Sequence, residues 1–176
     1  IVVTPGGGED GSFLIENYLS AIELVKNCDR LKTLIIFGSE MSATDRGELI
    51  KAIDNHSNII TLDFTDCLMS YLQAADLVVS MAGYNTIMEI LSLGKKAVVI
   101  PRYKPSHEQL IRATRMEKLG LLTAIAPYEL TSLNLSQAIV RQLDNFEEAT
   151  FNLNLNGLVS LRKEAIELLR NHRSLV

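Results

Sequence analysis

Apolar residues along this chain fall in short, β-branched runs separated by stretches with helical spacing. Ile1–Thr4, Thr33–Phe37, Ile59–Leu62, Leu77–Ser80 and Ala97–Ile100 read as strands, and Leu122–Ile125 as a weaker one. Between them, Leu14, Tyr18, Ile22 and Val25 recur on one helical face, as do Leu49, Ala52 and Ile53. Ile87–Leu93, His107–Leu119, Ser136–Leu143 and Leu158–Leu169 are predicted as further helices. The unbroken apolar stretches Leu34-Ile35-Ile36-Phe37 and Leu77-Val78-Val79 suit strands covered on both faces. Strand–helix alternation builds βαβ units with right-handed crossovers, so the pattern predicts an α/β domain with a doubly wound parallel sheet of about six strands. The Asn-rich stretch from Asp144 to Asn156 reads as a surface loop.

At 176 residues the chain suits one domain and is short for two full α/β domains. Hydrophobic residues make up 47% of it and charged residues 22%, which supports a real core and excludes disorder. A formal net charge of −4 argues against a general nucleic-acid binder, whose backbone affinity needs clustered Lys and Arg. No apolar run approaches the roughly 18 residues of a membrane span. The two cysteines, Cys28 and Cys67, match no metal spacing and read as reduced thiols of a cytoplasmic protein. The chain opens inside a strand without a leader pattern, so residues 1–176 are expected to be one domain cut from a longer protein or lacking an upstream domain.

In open parallel sheets, ligands bind beyond the carboxyl ends of the strands, where helix N-termini also point. Three loops in that position carry candidate chemistry. In the first, Pro5-Gly6-Gly7-Gly8-Glu9-Asp10-Gly11, the residues Gly6, Gly8 and Gly11 satisfy G-x-G-x-x-G. Glu9 and Asp10 put negative charge where a pyrophosphate would sit, and Glu40 is a late candidate for the ribose-binding acid of a nicotinamide site. The loop therefore reads as a turn with Asp10 or Ser12 capping a helix, as the wall of a substrate cleft, or as a dinucleotide site. The second loop is Met81-Ala82-Gly83-Tyr84-Asn85-Thr86, where Asn85 or Thr86 would cap a helix whose free N–H groups form an anion site. Glu89 follows one turn in: Thr86-x-x-Glu89 has the spacing of a capping box, and a carboxylate there could also accept hydrogen bonds from both hydroxyls of a ribose. In the third, Arg102-Tyr103-Lys104-Pro105-Ser106-His107-Glu108-Gln109, Arg102 and Lys104 are either solvated charges or help to hold a diphosphate. His107 reads as a helix-start residue, Gln109 offers the donor and acceptor a sugar hydroxyl demands, and Arg112 and Arg115 read as surface or interface charges. No triad, metal cluster or paired-carboxylate site is visible, so the sequence describes a binding site better than a catalytic one.

The run from Val78 through Gly83-Tyr84-Asn85-Thr86-Ile87-Met88-Glu89, continued by Gly94-Lys95-Lys96-Ala97-Val98-Val99-Ile100-Pro101 and His107-Glu108-Gln109, resembles the donor-site signature of the glycosyltransferase family 28 C-terminal domain. Ala82 stands where that signature often has a second glycine or a serine, and Gly8-Glu9 where relatives often place a serine. The resemblance implies the C-terminal half of a GT-B fold, in which two Rossmann-like domains face a cleft. It implies a nucleotide-sugar ligand, UDP-linked, and no metal or cofactor. By position, Glu89 would bind the ribose, and the backbone of Gly83, Tyr84, Asn85 and Thr86 the diphosphate. Gln109, with His107 and Glu108 beside it, would meet the donor sugar, with Arg102 near the diphosphate. Phe64 and Thr65 would flank the uracil, and Gly7 and Gly8 would line the cleft beside the phosphates.

The implied reaction moves a hexose, N-acetylglucosamine in the nearest reading, onto an acceptor hydroxyl. The catalytic base is expected on the N-terminal domain, so this chain alone should bind donor without turnover, and the closing helix should pack across the domain interface. A cytoplasmic enzyme is expected, peripheral at the inner membrane face in its intact form. Three alternatives stay open: half of a nucleotide-sugar epimerase, the NAD-binding domain of a dehydrogenase, and a non-catalytic subunit that recruits a membrane-anchored partner.

Overall fold

In the computed structural model, which describes residues 1–145 and 156–173, the β-branched runs hydrogen-bond side by side into one sheet. The strands are β1 (Val2–Thr4), β2 (Thr33–Ile36), β3 (Ile59–Leu62), β4 (Val78–Met81), β5 (Ala97–Ile100) and β6 (Thr123–Ala124). The helices are α1 (Ser12–Ile22), α2 (Ala43–Ile53), α3 (Leu68–Ala74), α4 (Tyr84–Ser92), α5 (Glu108–Lys118), α6 (Ser132–Asp144) and α7 (Gly157–Arg173). All six strands are parallel, in the order β3-β2-β1-β4-β5-β6. Strand order reverses between β1 and β4, where Val2 faces Val78 and Thr4 faces Ser80. At such a switch point the loops diverge to opposite faces of the sheet and leave a crevice.

The two-residue period of the strands decides which core each side chain enters. Val3, Ile35, Val79 and Val98 pack with Leu14, Tyr18, Ile22, Leu49, Ile53, Leu135 and Ile139 under α1, α2 and α6. Val2, Ile36, Val78 and Val99 pack with Leu72, Ile87, Ile90 and Ala113 under α3, α4 and α5. The central strands β1, β2, β4 and β5 are buried at nearly every position, with Thr4, Thr33 and Ser80 the polar residues among them, whereas Ile60 of the edge strand β3 is exposed. Ala52 is the exception on its expected face and is exposed, while Leu49 and Ile53 anchor α2.

Several elements differ from the sequence expectation. α3 is a helix where none is expected; it has seven residues and buries only Leu72 fully, too little for a legible period. α6 starts at Ser132, four residues before the expected Ser136, because Thr131 caps it by accepting the Asn134 N–H at 3.1 Å. α4 starts at Tyr84 with Gly83 as its N-cap and no side-chain cap bond, so neither Asn85 nor Thr86 caps it and no capping box forms. Thr86 lies inside the first turn, buried, with its hydroxyl 3.5 Å from where a Cβ on Gly6 would sit. Gly11 likewise caps α1 in place of Asp10 or Ser12. Of the expected loop from Asp144 to Asn156, residues 146–155 lie outside the described residues. On α7, Leu158, Leu161, Leu168 and Leu169 are exposed. No helix among the described residues is long and apolar enough to cross a membrane.

One polar pair is sealed inside the first core. The Tyr18 hydroxyl lies 2.6 Å from Thr33 Oγ1, both residues are buried, and burial pushes the phenol well above its ordinary pKa. Tyr18→Phe strands the Thr33 hydroxyl and is expected to cost about 1–3 kcal/mol. A urea-denaturation midpoint unchanged from the wild type would contradict this.

Candidate functional site

Beyond the carboxyl ends of β1, β4 and β5, at the switch point, lies a cleft of about 270 Å³. Its lining includes Gly6, Gly7, Gly8 and Glu9 from the first loop, Glu40 after β2, Gly83–Thr86 at the tip of α4, and Arg102 and Gln109 from the third loop. Of the residues expected to bind a donor, Gly7, Gly8, Gly83, Tyr84, Asn85, Thr86, Arg102 and Gln109 thus converge. Phe64 and Thr65 follow β3 at the edge of the sheet, outside the lining. Glu89, His107 and Glu108 are also outside it.

The first wall is backbone. Gly8 has φ +96° and Gly38, just after β2, has φ +94°, a left-handed region that side-chain-bearing residues rarely adopt. A Cβ on Gly8 would overlap the Phe37 carbonyl oxygen, and one on Gly38 would overlap the Gly6 carbonyl oxygen and lie 2.5 Å from that of Gly7. The first loop therefore sits directly on the turn after β2, held also by the Glu40 N–H donating to the Gly7 carbonyl at 2.7 Å. Gly38 carries this contact and is absent from the sequence-based site. A lone glycine directly after an apolar strand was the available signal.

The opposite wall is the N-terminus of α4. The N–H groups of Tyr84, Asn85 and Thr86 precede the first intrahelical bond, from Ile87 N–H to the Gly83 carbonyl, so they are free and carry the positive end of the helix dipole. Arg102 supplies full charge. It reaches Asp10 of the first loop at 2.5 Å, and this hydrogen bond and the carboxylate charge raise its pKa further. Its Nε is buried with no hydrogen-bond partner among the described residues. Arg102 is therefore a cleft residue tied to the first loop, whereas Lys104 rests over the Tyr103 ring, 5.4 Å from its centroid, outside the lining. Glu9 and Glu40 stand exposed on the rim, where solvent screens their charge.

Gln109 Oε1 accepts the Arg102 N–H at 3.1 Å, which fixes the amide and leaves its NH₂ free to donate. Glu89 is half-buried on α4, and its carboxylate has no hydrogen-bond or ion-pair partner among the described residues. His107 is the N-cap residue of α5, with no side-chain cap bond. Arg115 is exposed, as expected. Arg112 corrects the surface-charge reading: it is turned inward between α5 and the second glycine loop, donating to the Ala82 carbonyl at 3.0 Å and pairing with Glu108. Nothing local signals it, because Ala82 is thirty residues away.

Comparison with known proteins identifies the family and the fold. The profile of the glycosyltransferase family 28 C-terminal domain matches residues 1–165, and the chain belongs to that family. It is 31% identical over 136 residues to the UDP-N-acetylglucosamine--N-acetylmuramyl-(pentapeptide) pyrophosphoryl-undecaprenol N-acetylglucosamine transferase of Caldicellulosiruptor saccharolyticus, covering 75% of this chain and 36% of that enzyme. Among solved structures, Acinetobacter baumannii MurG superposes with a TM-score of 0.65 at 20% identity, over 82% of this chain and 41% of that one. The UDP-GlcNAc 2-epimerase of Neisseria meningitidis superposes at 0.53 and 15% identity, over 84% of this chain and 39% of that one, which shows the shared fold. The chain thus spans about two fifths of the length of these relatives, and its Rossmann-like sheet is that of a GT-B domain.

Proposed function

We propose that this chain is the donor-binding half of a hexosyltransferase, holding a UDP-linked sugar in the cleft at the switch point. The observation that carries the reading is the meeting, in one cleft, of the free α4 amides, the Arg102 guanidinium and a wall of glycine backbone. That combination suits a diphosphate: donors on one side, and glycine main chain that permits close approach on the other. Glu89, unpartnered one turn along α4, is then the acceptor for the ribose hydroxyls, and the Gln109 amide is the donor to the sugar. The relatives' named donor makes UDP-N-acetylglucosamine the first ligand to test.

In the reaction so proposed, the acceptor oxygen attacks the anomeric carbon, the bond from that carbon to the diphosphate breaks, and the acceptor proton passes to a base. We place that base on an N-terminal domain facing this cleft. The charge developing on the leaving diphosphate is met by the α4 amides and Arg102, already aimed and requiring little reorganisation. Partnership with that domain, and peripheral contact of the intact enzyme with the inner membrane face, belong to the same proposal.

Calorimetric titration with UDP, UDP-N-acetylglucosamine and NADH tests it. Both uridine ligands are expected to bind, and Glu89→Ala to weaken them by about 1–3 kcal/mol, the scale of a charged hydrogen bond. Binding of NADH with no response to UDP would overturn the reading in favour of a dehydrogenase domain.

A further inference from the structure

Arg112 makes two contacts with the second glycine loop and one within its own helix. One guanidinium nitrogen donates to the Ala82 carbonyl at 3.0 Å, the other pairs with Glu108, and the guanidinium carbon lies 5.3 Å from the centre of the Tyr84 ring. The side chain is 15% exposed and lies outside the cleft lining, behind residues that form it. A guanidinium committed in this way is not a solvated charge: its fork is used on two acceptors and its face on a ring.

The consequence follows from the planarity of the peptide bond. In a trans peptide the C=O and the N–H point in opposite directions. The Ala82 carbonyl is drawn toward Arg112, so the N–H of Gly83 in the same peptide points away from Arg112. Gly83 lines the cleft, and its N–H has no hydrogen-bond partner among the described residues. The next three amides, of Tyr84, Asn85 and Thr86, are the free amides of α4. Through Tyr84 the same guanidinium also holds the first residue of the helix. Glu108, in turn, places the anchor on α5, one residue from Gln109 and its cleft-facing amide.

We propose that Arg112 is a positioning residue of the donor site: it turns the Ala82–Gly83 peptide so that the Gly83 N–H joins the α4 amides facing the diphosphate, and it ties that anion site to the α5 turn that carries Gln109. Glu108 acts through Arg112 and not on the sugar. This rests on the donor-binding reading above, and it assigns a role to a residue that touches no ligand.

The test is UDP and UDP-N-acetylglucosamine affinity by calorimetry, with uridine affinity by NMR shift titration, on the wild type, Arg112→Met, Arg112→Lys and Glu108→Gln. Arg112→Met is expected to weaken UDP about tenfold or more while leaving uridine within about twofold, because only the phosphate contacts depend on the turned peptide. Arg112→Lys, which keeps the charge but cannot make the fork, should recover only part of the loss. Glu108→Gln should weaken UDP and UDP-N-acetylglucosamine by the same factor. Equal loss of uridine and UDP in Arg112→Met would mean general damage to the fold and would overturn the proposal, as would full rescue by lysine. If Glu108→Gln weakens only the sugar-bearing ligand, Glu108 contacts the sugar and the coupling is wrong. Since the milder Glu108→Gln carries the coupling claim by itself, unfolding of Arg112→Met does not remove the test. A wild type that binds no UDP would instead sink the donor-binding reading, a distinct result from wild-type binding with unaffected variants.

Discussion

Gly38→Ala is expected to cost about 3–5 kcal/mol of folding stability, from left-handed backbone strain plus overlap with neighbouring backbone. The added methyl would meet the carbonyl oxygens of Gly6 and Gly7, both main-chain atoms that cannot rotate aside. Domains of this kind are stable by only about 5–15 kcal/mol, so the loss is a large fraction of the total. Gly47→Ala is the control. Gly47 lies within α2 with open space around it, and alanine there should stabilise by about 0.5–1 kcal/mol. Urea denaturation of both variants decides the matter. If Gly38→Ala lost less than about 1 kcal/mol, the first loop would have to be free to move off the β2 turn. The fixed wall described above would then be wrong.

Arg102→Met is expected to weaken UDP binding by about 2–3 kcal/mol, roughly 30- to 150-fold, the upper range for a hydrogen bond to a charged group. The loss should be this large because, among the described residues, Arg102 is the one full positive charge in the cleft lining, whose other charged members are Glu9 and Glu40. Without it Asp10 is also unpaired, and a diphosphate would enter past three uncompensated carboxylates. Uridine, which carries no phosphate, should bind the variant almost as it binds the wild type. Calorimetry at low and at moderate salt provides the second check: raising the salt should narrow the gap between wild type and variant, because exposed carboxylates are screened. Undiminished UDP affinity would show that the α4 amides alone hold the diphosphate and would leave Arg102 with a purely structural tie to the first loop.

What could be read from the sequence follows from what is local. The unbroken apolar runs gave the parallel sheet because a strand covered on both faces has no polar side to show. The three loops were found because each sits directly after a strand. Contacts made across the fold were not legible. Asp10 and Arg102 are 92 positions apart, and nothing near either names the other, so Arg102 could not be told from a solvated loop charge. Arg112 looked like any arginine on the outer turn of a helix, since its inward acceptor is a main-chain carbonyl that every residue possesses. Thr86-x-x-Glu89 matched a capping box by spacing, but the helix begins at Tyr84 and carries both residues past the cap position. The frame shift of one turn matters chemically: it frees the Glu89 carboxylate from its backbone duty.

The cleft walls drawn by the first loop and by the tip of α4 are made of main chain. The shape of such a surface depends on the glycine positions, on the turn after β2 and on the side chains that hold the main chain from outside the cleft, such as Arg112. The side chains of the exposed lining residues Glu9, Glu40 and Asn85 hold none of that main chain, so they can be substituted without rebuilding the cleft. For protein engineering this makes the rim, and not the wall, the place to randomise when a different donor is wanted.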